Sequence, residues 1–302
     1  CPAGWRHNMS KFASPDRQAA SVMKALQGHT LSSVRTVANY EACLSLVAKY
    51  VQANRLGSLR DLTPDMALTW LEKRSLSVSQ KTLDMERQAI QVMLQHVTRK
   101  LKTNERLKVI KSQKTTVLVS RAYTTTQIEL IASVQQSHNQ LSTLIAWQAG
   151  LRAHELFTLR PLNEQRPSIR PAMPEKFLGL DGMKYTVAGK GGLIREVVLP
   201  YHLAEMLELR RHPEPKQVMD RGVFYKSYYD IGGGHSWSSA WTRCAKSQLG
   251  WSEGAHGLRH TYAQTRMVTL QTKHRLSRED ALRAVSQEMG HFRPEITEVY
   301  LR

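Results

Sequence analysis

The chain has 302 residues, of which 41% are hydrophobic and 23% are charged, a balance that excludes both a disordered chain and a membrane-embedded one. Lysine and arginine total 43 against 25 aspartates and glutamates, so the formal net charge at pH 7 is +18. A charge of this sign and size favours a polyanionic partner such as nucleic acid, with a merely basic, solvated surface as the alternative.

The start of the sequence lacks the apolar core of a signal peptide, and no apolar run reaches the ~18 residues of a spanning helix. Cys1, Cys43 and Cys244 lie far apart in the sequence, which predicts neither a disulfide framework nor a structural zinc site. We therefore expect a cytoplasmic protein. Residues 1–8 precede Met9 and are set aside as a cloning remnant.

Residues 9–110 are predicted to form a bundle of four amphipathic helices. Ser14 and Thr63 each precede a proline, which is the start signal of a helix, and an apolar stripe runs from Val37 to Val51. The fourth helix begins after Ser79, and its apolar face extends to Leu101. Its opposite face is basic, with Lys81, Arg87, Arg99 and Lys100.

The charge is concentrated in this half, because residues 9–121 contain 19 basic and 8 acidic side chains. We interpret residues 9–110 as a domain that binds DNA through the phosphates of its backbone. A solvated charged face would produce the same pattern of charges. Residues 111–121 are predicted to be a linker.

Residues 122–302 are predicted to form a second, mainly helical domain with a small antiparallel sheet, an α+β fold. A hairpin is expected from strands at 185–188 and 194–199 around a glycine-rich turn at 189–192. Helices are predicted at 125–136, 141–148, 201–211, 236–248, 256–269, 278–289 and 294–301.

Six residues of this domain form a set that suits phosphoryl transfer, although each one alone resembles an ordinary surface residue. They are Arg152, Lys190, His256, Arg259, His291 and Tyr300. Two arginines can bind the non-bridging oxygens of a phosphodiester, and they stabilise the charge that develops in its transition state.

Protein cations would have to do this work alone, because the sequence has neither an aspartate-rich metal site nor a phosphate-binding GxxxxGK[ST] loop. His256 and His260 have a spacing that can bind zinc, but no further ligand completes such a site. We therefore expect no metal and no cofactor.

These motifs resemble those of the tyrosine recombinases, the phage integrase family. The segment Ala-Gly-Leu-Arg152-Ala-His-Glu-Leu is similar to the first arginine motif, and Gly-Lys190-Gly is similar to the lysine-bearing hairpin. His256-Gly-Leu-Arg259 is similar to the His-x-x-Arg helix. Met-Gly-His291, with Tyr300 nine residues later, is similar to the closing segment and its nucleophile.

The resemblance implies a site-specific DNA recombinase with a core-binding domain, a catalytic domain and a two-domain plan like that of the Xer proteins. Tyr300 would attack the scissile phosphate to give a 3′-phosphotyrosyl intermediate, with His256 as its proton partner. Lys190 would act as general acid for the 5′-oxygen, His291 would donate a hydrogen bond to the phosphate, and Glu155 would support the cations.

The family also implies partners and a location. These are a double-stranded recombination site, self-association as a tetramer on two DNA sites, an accessory directionality protein, and the bacterial nucleoid. The sequence departs from the family pattern at His154, where a small residue is common, and Arg302 follows Tyr300 by only two positions. A type IB topoisomerase and a non-catalytic DNA-binding protein are the alternatives.

Overall fold

A computed structural model describes residues 12–28, 30–31, 33–115, 119–291 and 293–302. The predicted remnant at 1–8 and the side chain of Lys190 lie outside the described part of the chain. The chain divides into two compact units, Cys1–Val117 and Leu118–Arg302. The division falls inside the segment 111–121.

The first unit contains four α-helices within the described residues, and a short 3₁₀ turn at Leu59–Asp61. Each α-helix begins where a serine or threonine side chain accepts a hydrogen bond from a backbone N–H of the first turn, which satisfies a donor that the helix itself leaves unpaired. The helices are α1 (Pro15–Leu26), α2 (Val34–Ala53), α3 (Pro64–Ser75) and α4 (Gln80–His96).

Buried apolar side chains from these four helices form one core, in which Leu44, Val47 and Leu94 are fully enclosed. The predicted fourth helix is too long, since α4 ends at His96 and Leu101 follows in a loop that packs against the core.

The second unit is mainly helical and contains antiparallel strands, so the predicted fold class is confirmed. Its helices are α5 (Thr125–Ser133), α6 (Ser137–Gln148), α7 (Tyr201–Glu208), α8 (Gly234–Leu249), α9 (Gly257–Thr272), α10 (Arg278–Glu288) and α11 (Pro294–Glu298). Its main core encloses Trp237, Trp241 and Tyr185.

Two small sheets are present in the described part of this unit, where the sequence predicted one. The first has the order β1 (Arg160–Pro161), β2 (Met183–Ala188), β3 (Ile194–Leu199), and β2 pairs with β3 from Met183–Leu199 to Ala188–Ile194. The second is a hairpin of β4 (Arg211–Asp220) and β5 (Val223–Tyr229).

Within the described ranges, no helix has both the length and the apolar character needed to cross a bilayer.

Candidate active site

A turn after α6 positions Arg152. Gly150 in this turn has φ +58°, and a Cβ at that position would lie 2.6 Å from the ring of Tyr262, so only glycine fits. The Arg152 backbone N–H and its Nη1 donate to the two carboxylate oxygens of Glu155, both at 2.8 Å. The carboxylate thus fixes both the main chain and the side chain of Arg152.

Glu155 is fully buried and also binds a second arginine. Arg195, on β3, donates from Nη2 to Glu155 Oε2 at 2.8 Å and to the carbonyl of Gly150 at 3.3 Å, while its Nη1 donates to the carbonyl of Glu288. Burial by itself raises the pKa of Glu155, but the charges of Arg195, Arg259 and Arg152 outweigh it, so the pKa lies well below its ordinary value.

Arg259 lies on the first turn of α9 and is completely buried. Its guanidinium donates to the carbonyls of Gly150 and Met289, while its Nε has no hydrogen-bond partner within the described residues. Burial and the nearby positive charges of Arg152 and Arg195 lower the pKa of Arg259 to about 10, which leaves it charged at neutral pH.

His291 follows α10 and Gly290, and it joins the two arginines. Its Nε2 lies 3.0 Å from Arg152 Nη2 and 3.2 Å from Arg259 Nη2. Its Nδ1 lies 3.0 Å from the hydroxyl of Thr297. Burial and the charges of Arg259 and Arg152 lower its pKa to about 3, so the ring is neutral at pH 7.

Three histidine rings and a guanidinium surround the ring of Tyr300. The ring centroids of His260, His256 and His291 lie 4.7, 5.4 and 5.4 Å from that of Tyr300, and Arg259 Cζ lies 5.5 Å from it. Tyr300 is 8% exposed. The ring of Tyr300 is therefore packed beside the Arg259 guanidinium and the three histidine rings.

His256 is exposed at the start of α9, beside this tyrosine. Partial burial of its ring, and then the charge of Arg259, lower the pKa of His256. Because much of its surface stays open to water, solvent weakens the effect of burial, and the direction of the shift leaves the imidazole neutral at pH 7.

The turn that carries Lys190 approaches the same cluster. Its backbone, Lys190–Gly192, forms a short 3₁₀ turn in which Gly191 and Gly192 have φ of +77° and +79°. A Cβ on the preceding Gly189 would lie 3.3 Å from Glu155 Oε1. The hairpin backbone thus comes next to the arginine site, while the Lys190 side chain lies outside the described part.

Five residues of the predicted set have described side chains, and these side chains form one cluster. They are Arg152, His256, Arg259, His291 and Tyr300. Sequence reasoning gave no role to Arg195 and did not identify Thr297. Arg195 follows the lysine hairpin in a family-like segment, which was the available signal, whereas Thr297 had none. Among the described residues, no group of three His, Cys, Asp or Glu side chains could hold a metal ion.

The structure is similar to those of DNA-bound recombinases. The XerH site-specific recombinase, in its post-cleavage complex with palindromic difH substrate, is 16% identical, with a TM-score of 0.58 over 95% of this chain and 90% of that one. The lambda integrase tetramer bound to a Holliday junction is 15% identical, with a TM-score of 0.59 over 98% and 80%.

A third similar structure is the Tn1549 transposon integrase in complex with transposon right end DNA, 14% identical, with a TM-score of 0.56 over 96% and 95% of the two chains. No family model and no curated protein matches the sequence. The chain therefore has the fold of the tyrosine recombinases, as its motifs predicted.

Proposed function

We propose that this protein is a site-specific DNA recombinase or integrase that cleaves and rejoins double-stranded DNA through Tyr300. The observation that carries the proposal is the joining of Arg152, Arg259 and His291 by hydrogen bonds directly beside the Tyr300 ring. Such a cluster of donors is suited to a phosphodiester whose non-bridging oxygens gain negative charge in the transition state.

In the proposed reaction, Tyr300 Oη attacks the scissile phosphorus and the bond to the 5′-oxygen breaks. The products are a 3′-phosphotyrosyl ester and a 5′-hydroxyl. A phenol is largely protonated at neutral pH, so His256, which is neutral, accepts its proton. Lys190 supplies the proton that the departing 5′-oxygen takes up.

Resealing reverses the same steps with a different strand. The 5′-hydroxyl of a second DNA strand attacks the phosphotyrosine and releases Tyr300, which gives a Holliday junction after the first exchange. One phosphate ester replaces another at each step, so the reaction needs no cofactor and no nucleotide hydrolysis.

We also infer that both units bind the duplex and that four copies assemble on two DNA sites. The support is the charge of residues 9–121, with 19 basic against 8 acidic side chains, and the cationic cluster of the second unit. The lambda integrase neighbour is itself a tetramer on a Holliday junction.

Covalent capture tests the proposal without knowledge of the target sequence. The full chain is incubated with a pool of nicked duplexes that carry a randomised core, denatured, and sequenced for DNA that remains attached to protein. We expect enrichment of one inverted-repeat motif with the native chain and none with Tyr300→Phe, which keeps the ring and removes the nucleophile.

Tyr228→Phe is the matched control, because it removes a tyrosine hydroxyl from β5, outside the cluster. It should capture DNA as the native chain does. Attachment by Tyr300→Phe, or its absence with the native chain on duplexes that the chain binds, would contradict the proposal.

Strand exchange between two short duplexes that carry the captured motif separates a recombinase from a type IB topoisomerase. A recombinase joins one duplex to the other, whereas a topoisomerase reseals the strand it cut. Resealing without exchange would favour the topoisomerase.

A further inference from the structure

Thr297 contacts both His291 and Tyr300. It lies in α11 and is completely buried. Its hydroxyl lies 3.0 Å from His291 Nδ1, and its carbonyl accepts the backbone N–H of Tyr300 at 2.9 Å. One residue therefore ties the histidine ring of the cluster to the segment that carries the tyrosine.

The partners of His291 determine which ring nitrogen carries its proton. Guanidinium nitrogens only donate hydrogen bonds, so Nε2, which faces Arg152 and Arg259, must accept from them. The neutral ring then has its proton on Nδ1, which donates to Thr297 Oγ1. In this state His291 has no proton to offer a phosphate.

DNA binding would reverse which ring nitrogen of His291 must donate a hydrogen bond and which must accept one. A phosphate in the cluster accepts hydrogen bonds and takes up the guanidinium donors, so a neutral His291 contributes to it only with a proton on Nε2. Nδ1 then becomes an acceptor and needs a donor on its other side. A hydroxyl can rotate to supply one.

The geometry points to Thr297 as a positioning residue whose hydroxyl accepts from His291 Nδ1 in the free protein and donates to it when a phosphate occupies the site. The hydroxyl holds the ring in place in both tautomers, while the proton moves from Nδ1 to Nε2 by exchange with water. The DNA-bound half of this inference rests on the proposed function.

The first test is a nitrogen-detected NMR spectrum of the full chain labelled at histidine, because protonated and unprotonated ring nitrogens resonate at well separated shifts. The His291 signals are assigned by their loss in His291→Gln. In the free protein at pH 7, we expect protonated Nδ1 and bare Nε2. On the duplex captured above, bound to Tyr300→Phe, we expect the reverse.

The second test compares substitutions of Thr297 in single-turnover formation of the covalent adduct. Thr297→Val keeps the shape and removes the hydroxyl, so we expect adduct formation to slow by about tenfold or more, the size of loss known for residues that orient metal-binding histidines. Thr297→Ser keeps a rotating hydroxyl and should form the adduct at close to the native rate.

Thr143→Val is the matched control, since Thr143 is also fully buried and its hydroxyl also makes hydrogen bonds, in this case to Gln135 and Trp237 in the main core. It should lower the melting temperature without slowing adduct formation in the folded protein. Thr297→Val should keep the His291 proton on Nδ1 in the free protein, because the guanidinium groups of Arg152 and Arg259 still require Nε2 to accept.

The inference fails if His291 carries its proton on Nε2 in the free protein, or if Thr297→Val forms the adduct at the native rate. It also fails if the tautomer is the same with and without bound DNA. The free-state spectrum does not depend on catalysis, so a correct tautomer there together with failed covalent capture would overturn the proposed function instead.

Discussion

At the residue scale, Glu155 is the centre of the candidate site, because its Oε1 accepts from the Arg152 guanidinium and its Oε2 accepts from the Arg195 guanidinium. The sequence indicated Arg152 and Glu155 through their spacing. For Arg195 the sequence offered only its place after the lysine hairpin, and for Thr297 it offered no signal, since their bonds to Glu155 and His291 depend on how the chain folds around the site. The carboxylate keeps the positive charges of Arg152, Arg195 and Arg259 close together, and the last two of these are buried.

We predict that Glu155→Gln destabilises the protein by about 3–5 kcal/mol at pH 7, because it leaves buried guanidinium groups without their counter-charge. Glu196→Gln is the matched control: this carboxylate pairs with Lys176 at a partly exposed position, so its loss should cost about 1 kcal/mol or less. Urea unfolding measures both variants, and equal losses would contradict the role of Glu155.

The pH dependence of this effect follows from the lowered pKa of Glu155. A carboxyl whose pKa is lower in the folded state contributes stability above its unfolded pKa of about 4.3 and loses it as the pH falls towards the folded value. The difference between native chain and Glu155→Gln should therefore be complete at pH 7 and shrink below about pH 4.

His291 gives a second dependence of stability on pH. Folding disfavours the charged form of His291, whereas it favours the charged form of Glu155. The pKa of His291 falls from 6.5 to about 3 on folding, so below pH 6.5 the unfolded chain takes up a proton that the folded chain does not. This should cost about 2 kcal/mol of stability at pH 5 relative to pH 8. His291→Gln should remove this share of the slope and leave the shares of His256 and His260, whose pKa values are also lowered. His202→Gln, at an exposed site on α7, should keep the whole slope.

At the element scale, the start signals of α1 and α3 were readable because a capping side chain and a proline act locally. The β4–β5 hairpin was not predicted, since β4 contains two prolines and alternating charges and most of its side chains are exposed. The predicted helix at 201–211 is too long. It ends at Glu208, because the unpredicted hairpin begins at Arg211.

The hairpin of β2 and β3 allows a test of leaving-group chemistry. If Lys190 protonates the 5′-oxygen, its loss should matter only when that oxygen leaves poorly. Lys190→Ala should be almost inactive on a normal phosphodiester and cleave a 5′-thio substrate nearly as fast as the native chain. Arg152→Ala should gain no such rescue, and failure of sulfur to rescue Lys190→Ala would contradict the general-acid role.

At the scale of the whole molecule, two separate units and a large net charge predict DNA binding through many phosphates. Charge composition indicated this from the sequence, because it requires no knowledge of the fold. The base contacts that select a target depend on which side chains reach a groove, and composition carries no such information.

Salt dependence measures the phosphate contacts of the full chain. Affinity for the captured duplex should fall steeply between low and physiological salt, with a slope of about 0.9 for each phosphate neutralised. Replacing Lys81 and Lys100, both exposed in the first unit, with glutamine should lower the slope by about 2. An affinity independent of salt would contradict binding by both units.

The most direct measurement is mass spectrometry of the covalent adduct after nuclease digestion. The account predicts a nucleotide joined through its 3′-phosphate to the oxygen of Tyr300, in the peptide that contains this residue. A nucleotide on Tyr262 or Tyr228, or a link through a 5′-phosphate, would contradict it.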